Sequence, residues 1–250
     1  MRILVLGDSH CDAEHIDFAY DKAERFDCDA IFVVGDFGWW TNFKDGHEFL
    51  KFCALRARRT EIPLYWLDGN HEYHPDLVAM VEDEGRDGFI ELDQHFYYSP
   101  RGNTWVWDDV RFMTLGGAFS IDRANRILDI DWFEEEMISE DDVDYCIDQG
   151  EIDVLLCHDA PAEVDMNAEF ATKGRRMYKD HIEGTFRNRE RLQRVVNACN
   201  PNVVVHGHWH HQYTYISDLV ENRRVFGLDC NMAAGRSWTV LDTQDIKERR

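Results

Sequence analysis

The chain has 250 residues, 44% of them hydrophobic and 13% aromatic, enough to bury a sizeable core. Its 49 acidic residues against 27 basic ones give a formal net charge of −22, which opposes stable binding to nucleic-acid backbones and to anionic membranes. Seven cysteines without a C-x-x-C pair, the lack of a secretory leader and the lack of any apolar run of membrane-spanning length point to free thiols and a cytoplasmic location.

Short apolar runs recur along the chain, each ending in a polar or glycine-bearing stop. The first is ILVLG at 3–7, with a helical pattern after it over about 12–26. AIFVVG at 30–35 precedes a helical stretch at about 45–59, and PLYWLDG at 63–69 precedes one at about 75–84. From about 89 to 118 the pattern reads as paired strands that include VRFMTLGG at 110–117, with Asp108-Asp109 as a turn. Residues 129–153 carry twelve acids and no base, read as a solvated helix and loop. VLLCH follows at 154–158, and an arginine-rich helix fits about 187–199, stopping near Asn200-Pro201. VVVHG (203–207), RVFGL (224–228) and WTVL (238–241) complete the series. Continuous apolar runs of this length suit strands buried on both faces. The expectation is an α/β layered sandwich, largely β in its second half, forming one domain over 1–250 without repeats.

The residues after the strands are less ordinary. Asp8-Ser9-His10 follows the first strand, Gly35-Asp36 the second and Asp68-Gly69-Asn70-His71-Glu72 the third. His158 ends the strand at 154–157, and Gly207-His208-Trp209-His210 follows the one at 203–206. Ligands of open α/β sheets bind beyond the carboxyl ends of strands, and glycine beside a donor permits a sharp turn. The stretch VVVHGHWHHQ holds four histidines; alternation along an extended chain puts His206, His208 and His210 on one face and His211 on the other.

The ordered blocks DxH, GD, GNH[DE], a lone His and GHxH resemble the signature of the calcineurin-like metallophosphoesterase superfamily, across residues 8–210. The resemblance implies a two-sheet β-sandwich flanked by helices, with a two-metal site at the carboxyl ends of strands. It implies Asp8, His10 and His210 on one metal, Asn70, His158 and His208 on the second, Asp36 bridging the two, and His71 as the acid near the leaving group. His206, which precedes the glycine, reads as a core or supporting group, and His211 as an ordinary polar residue. The implied donors are nitrogen and oxygen with no thiolate, which suits two Mn2+ ions, with Fe or Zn2+ as alternatives. Two divalent ions against only two carboxylates leave net positive charge that binds a phosphate and stabilises a bridging hydroxide as nucleophile.

Substrate class rests on departures from the family's better-known members. Its protein phosphatases and dinucleoside-tetraphosphate hydrolases carry GD followed shortly by DR, whereas Phe37-Gly38-Trp39-Trp40 follows Asp36 here. Its repair exonucleases add a DNA-capping domain, for which 250 residues leave little room. The expected activity is hydrolysis of small phosphodiesters, with nucleotides and cyclic nucleotides among the candidate substrates. Monoesterase, protein phosphatase and nuclease activities are the alternatives within the family, and a silent binding scaffold is the alternative outside it. The GDFGWW and GGAFSIDR blocks also resemble bacterial and phage members. Trp39, Trp40 and Phe119 are candidates either to stack on a base or to pack in the core or rim. Arg123 and Arg126 are candidates either to hold a phosphate oxygen or to lie on a surface helix. The basic stretch 169–194, including Lys173, Arg175 and Arg176, either steers anions or lines a solvated helix. The oligomeric state stays open.

Overall fold

The apolar runs pair into two six-stranded sheets in a computed structural model that describes residues 1–166, 179–217, 220 and 223–248, the side chains of 179–182 excepted. The first sheet joins β1 (Arg2–Leu6), β2 (Ala30–Val34), β3 (Leu64–Leu67), β4 (Ile90–Asp93), β5 (Phe96–Tyr98) and β12 (Trp238–Asp242) in the order β12-β1-β2-β3-β5-β4. The second joins β6 (Thr104–Trp107), β7 (Val110–Leu115), β8 (Val154–Cys157), β9 (Val203–His206), β10 (Tyr213–Ile216) and β11 (Arg224–Gly227) in the order β10-β11-β9-β8-β7-β6. The four inner strands of each sheet run parallel, and an antiparallel strand closes every edge. Parallel neighbours all end at one rim, and both sheets present that rim to the same site.

Both faces of the inner strands are covered, which is why their sequences are apolar without alternation. Leu4 and Leu6 of β1 and Ile31 and Val33 of β2 pack toward α1 (Ala13–Arg25), α2 (Lys44–Thr60) and α3 (His74–Glu84). Ile3, Val5, Phe32 and Val34, on the opposite face, meet Phe112, Val154, Leu156 and Val205 between the sheets. Met113, Leu115, Leu155 and Val204 face α4 (Glu140–Asp148) and α5 (Lys179–Cys199), and the short α6 (Thr243–Lys247) follows β12. Caps set the helix starts: Asp12 accepts the N–H groups of Glu14 and His15, and Ser139 with Asp142 forms a capping box before α4.

Three segments differ from the sequence expectation. Helix α5 starts at Lys179 rather than near 187. Strand β10 is an edge strand of alternately half-buried and exposed residues, too short and polar to register as an apolar run. The acidic stretch is not wholly solvated, because Glu136 and Asp142 are buried. In the basic stretch, Lys173, Arg175 and Arg176 lie outside the described residues. Farther along, Arg191 and Arg194 pair with Glu140 of α4, and the buried Arg189 donates to the carbonyls of Ala160, Pro161 and Val164. These arginines fasten α5 in place, and of the three only Arg189 is withdrawn from the surface. All seven cysteines are free thiols. Among the described residues no helix is long and apolar enough to cross a membrane.

One buried cation joins several parts of this frame. Arg101 donates from Nε and Nη2 to Asp68 Oδ2 at 2.9 and 2.7 Å, and from Nη1 to Asp142 Oδ2 at 3.0 Å and to the Met137 carbonyl at 2.9 Å. It thereby ties the end of β3 to the start of α4. Removing one partner of a buried ion pair strands the other charge. Arg101→Ala is expected to lower unfolding free energy by about 3–5 kcal/mol, read from the urea midpoint of the metal-free protein; a loss below about 1 kcal/mol would show that Asp68 needs no cation.

Candidate metal centre

The loops after β1, β2, β3, β8 and β9 bring together all eight residues marked by the motif. Ligand atoms of Asp8, His10 and Asp36 lie within 4.8 Å of one another, as do those of Asp36, His158 and His208. His210 Nε2 stands 3.0 Å from Asp8 Oδ2, and Asn70 Oδ1 stands 3.1 Å from His158 Nε2. Asp36 lies between the two groups, with Oδ2 3.4 Å from His10 Nε2 and Oδ1 3.3 Å from His158 Nε2.

This convergence depends on unusual backbone. His10, Asp36, His208 and His210 have φ of 48°, 46°, 63° and 46°, a left-handed region that non-glycine residues seldom enter and that recurs at functional sites. Hydrogen bonds hold them there. The Asp36 carbonyl accepts the N–H groups of Ser9 and His10 at 3.1 and 2.7 Å, and its Oδ1 accepts those of Asn70 and His71, both at 2.9 Å. Asp8 Oδ1 accepts the His208 N–H at 2.9 Å. The buried Glu72 carboxylate accepts N–H groups from Gly69 at 2.6 Å and Gly38 at 3.2 Å, joining the β3 loop to the β2 loop. Two glycines are sterically required. A Cβ on Gly35 (φ 90°) would stand 2.2 Å from His158 Nδ1, and one on Gly207 would stand 2.0 Å from Asp8 Oδ1.

Neighbouring groups aim the donor atoms. His158 Nδ1 donates to the Val34 carbonyl at 2.8 Å, which turns Nε2 toward Asp36. His10 Nδ1 donates to Asn231 Oδ1 at 3.2 Å in the same way. Ser120 donates to Glu136 through Oγ at 2.7 Å, so its oxygen accepts from Asn70 Nδ2 at 2.9 Å and Asn70 Oδ1 is turned inward. The motif contains neither Asn231, Ser120 nor Glu136. Asn231 and Ser120 do follow strands β11 and β7, a signal the sequence offered; Glu136 sits in an acidic run and offered none. Cys230, also after β11, brings a sulfur within 4.8 Å of ring nitrogens of His10 and His210, beside a donor set read as nitrogen and oxygen alone.

The remaining candidates sort cleanly. His206 is fully buried, donates from Nδ1 to the Gly207 carbonyl at 2.9 Å and accepts at Nε2 from Tyr213 Oη at 2.5 Å, so it is a satisfied core group. His211 lies beside the Tyr213 ring. Trp39 stacks on Trp66 in the core, Phe119 is buried, and Trp40 packs on Phe43 at the rim. Arg123 lies over the Phe119 ring. Arg126 reaches the centre: Nη2 touches both ring nitrogens of His71, Nδ1 and Nε2, while Asp122 Oδ2 and the Asp131 carbonyl brace the guanidinium. A cavity of about 790 Å³ behind the β3 loop is lined by Asp68, His74, Arg101 and Arg123 but by none of the eight motif residues.

Burial alone would neutralise this cluster, and mutual charge prevents it. Burial pushes Asp8 and Asp36 up, yet imidazoles hold both below the ordinary carboxylate range, His210 acting mainly on Asp8 and His158 on Asp36. Burial pushes the imidazoles down, yet Asp36 raises His10 to about 9 and His158 to about 10, and Asp8 raises His210 to about 11. His208, with burial dominant, falls to about 4. Burial also lowers His71, with Asp36 opposing and Arg126 assisting. Two carboxylates at 0% and 1% exposure, four imidazoles and an inward-turned amide oxygen form a donor set that fits two borderline divalent ions.

The sequence matches the family model of calcineurin-like phosphoesterases over residues 1–212, and the chain belongs to that family, whose members depend on two metals. The two mixed sheets flanked by helices are the metallophosphoesterase fold. Comparison with curated protein sequences gave no match. Among solved structures the chain is similar to TT1561 of Thermus thermophilus, with a TM-score of 0.59 and 12% identity over 100% of this chain and 96% of that one. It is also similar to the phosphopantetheinyl hydrolase of Mycobacterium tuberculosis, with a TM-score of 0.50 and 15% identity over 97% and 98%. At such identities the likeness establishes the fold.

The charge pattern predicts how metal uptake responds to pH. His10, His158 and His210 hold protons in the metal-free protein well above pH 7, and metal binding needs their neutral form. Apparent affinity should therefore rise with pH through about 9 and on toward about 11, as His10, His158 and His210 lose their protons in turn, and ions should displace protons on binding. Titration calorimetry of Mn2+ at pH 8 in buffers of different ionisation enthalpy should report net proton release; heats that are independent of buffer would contradict it.

Proposed function

We propose that the protein hydrolyses small phosphodiesters with two divalent ions, held by Asp8, His10, His210 and Asp36 on one side and by Asn70, His158, His208 and Asp36 on the other. Mn2+ is the expected pair, with Fe or Zn2+ as alternatives. The observation that carries this reading is the Asp36 carboxylate, one oxygen toward each donor group. When bound, the ions supply Lewis acidity toward the phosphoryl oxygens and acidify the attacking water.

The chain's own residues do the remainder. Asp8 and Asp36 stay ionised while buried, so negative charge is fixed where cations are needed. Arg126, braced by Asp122, is oriented to take a non-bridging phosphate oxygen in a charge-assisted hydrogen bond. In the free protein this arginine donates to the neutral His71 ring. A phosphate that draws the guanidinium away frees that ring nitrogen, and its negative charge favours protonation of His71, which then gives the proton to the leaving oxygen. The preference for diesters rests on the missing Asp-Arg pair after Asp36: Phe37 and Trp39 are buried in the core instead. A diester is a monoanion and demands less cationic charge than a monoester dianion. Nucleotides and cyclic nucleotides are candidate substrates, although Trp39 and Phe119 are too buried to serve as base platforms.

Chelation should abolish activity, and Mn2+ should restore it better than Mg2+, which suits imidazole-rich sites poorly. The reconstituted enzyme should turn over bis-p-nitrophenyl phosphate faster than p-nitrophenyl phosphate. Efficient cleavage of phosphoserine peptides with no diester cleavage would overturn the substrate class.

Two variants of adjacent residues separate metal ligand from proton donor. Asn70→Ala should lose metal and activity together. His71→Ala should keep two metals yet lose about 10²–10⁴-fold in rate with a ribose alkoxide leaving group, and far less with p-nitrophenolate, which needs little protonation. Equal losses on both leaving groups would exclude proton donation by His71.

A further inference from the structure

Cys230 lies outside the donor set that the motif marks. It follows β11, which runs parallel to β9, so its loop emerges on the same rim as those of Asp8, Asp36 and His208. That loop is stitched to the one carrying Asp8 and His10. The Asn231 N–H donates to the Asp8 carbonyl at 2.9 Å, Asn231 Oδ1 accepts from His10 Nδ1 at 3.2 Å, and Asn231 Nδ2 donates to Asp12 Oδ2 at 3.0 Å. The Cys230 N–H donates to Asp229 Oδ1 at 3.0 Å, and Asp229 is paired with Arg236. Position 230 is thus fixed on both sides by bonds that do not involve its sulfur. The thiol is buried at 1% exposure, within 4.8 Å of ring nitrogens of both His10 and His210, and shares a hydrogen bond with His210. No other cysteine joins such a group among the described residues. Cys11, though next to His10, directs its sulfur to the Asp45 carbonyl.

We propose that Cys230 is a thiolate donor to the ion held by Asp8, His10 and His210, so that one half of the centre contains sulfur and the other does not. The inference rests on the two-metal reading above. On ion binding the S–H bond gives way to a sulfur–metal bond, the proton leaves to solvent, and no oxidation state changes. A soft donor shifts that half toward Zn2+, Fe2+ or Co2+, while the half built from Asn70, His158 and His208 keeps the nitrogen and oxygen set that accepts Mn2+. The two positions are then chemically unequal, and a mixed metal pair replaces the Mn2+ pair expected from the nitrogen and oxygen donors alone.

Cobalt distinguishes the outcomes. Metal-free protein titrated with Co2+ should bind two ions and develop a near-ultraviolet thiolate-to-cobalt charge-transfer band that saturates at one equivalent. Cys230→Ser should still bind cobalt but lack the band, and Cys11→Ser should retain it. In competition with Mn2+, one of the two sites should prefer Zn2+, and Cys230→Ser should weaken that preference by about 10- to 100-fold. Two bound cobalt ions without a band in the unaltered protein, or a band that survives Cys230→Ser, would overturn the proposal and leave Cys230 as a hydrogen-bond partner of His210. Should the serine variant not fold, the spectrum of the unaltered protein decides alone. Failure to bind any cobalt would instead overturn the two-metal reading itself.

Discussion

The carboxylate of Asp36 holds four loops at once. Its oxygens accept the Asn70 and His71 N–H groups and face His10 on one side and His158 on the other, while its own carbonyl accepts from Ser9 and His10. A carboxylate at 1% exposure forfeits hydration worth several kcal/mol, and a φ of 46° adds backbone strain. Both costs persist because so many groups converge on it. In the metal-free chain the compensating charges are protonated imidazoles, which is why His10 and His158 stay cationic despite burial. In the metal-loaded centre proposed above, divalent ions would take that role and the imidazoles would be neutral donors. The same interaction therefore folds the rim of the sheets and defines its chemistry.

That rim exists because the inner strands are parallel. Parallel strands need covering helices on the crossovers, which commits both faces of each strand to apolar packing. Ile3 and Val5 of β1 meet residues of β8 and β9 between the sheets, while Leu4 and Leu6 meet helices, so neither face is free to carry polar function. Polar donors are excluded from the strands and concentrate where the strands stop. Two sheets stacked with their parallel ends at one edge then bring loops from opposite sheets together, such as those of Asp8 and His208.

Those same rules decide what could be read from the sequence. The strands were legible because short, continuous, β-branched apolar runs fit little besides a strand covered on both faces. Asp8, Asp36, Asn70, His158 and His208 were legible because each stands within a few residues of a strand end. The groups that aim them were harder. Ser120 lies five residues beyond β7 inside an irregular loop, and the Glu136 it contacts is indistinguishable in sequence from the solvated acids around it. Arg101 looks like a surface arginine until Asp68, Asp142 and the Met137 carbonyl are seen around it. Cys230 lacked a motif because its neighbours in space, His10 and His210, come from two other loops. Arg189, part of the stretch read either as anion-steering or as a solvated helix face, is sequestered by three backbone carbonyls. In each case the missing information was a tertiary partner, which spacing along one chain does not encode.

An acidic protein that acts on an anion needs the two facts reconciled. A net charge of −22 repels phosphate at long range, but at physiological ionic strength the Debye length is only about 8 Å, so diffuse surface charge fades within a few water layers. Inside the site the dielectric is lower and screening is weak. There, on the proposed reading, Arg126 and the ions would dominate the field over a single phosphate. A polyanion differs, because every phosphate outside the pocket still lies against the acidic surface and gains none of the counterion release that drives nucleic-acid binding. Such a surface would discriminate by the number of charges a ligand carries rather than by their sign, and this is the physical basis for proposing a small phosphodiester in preference to a nucleic acid.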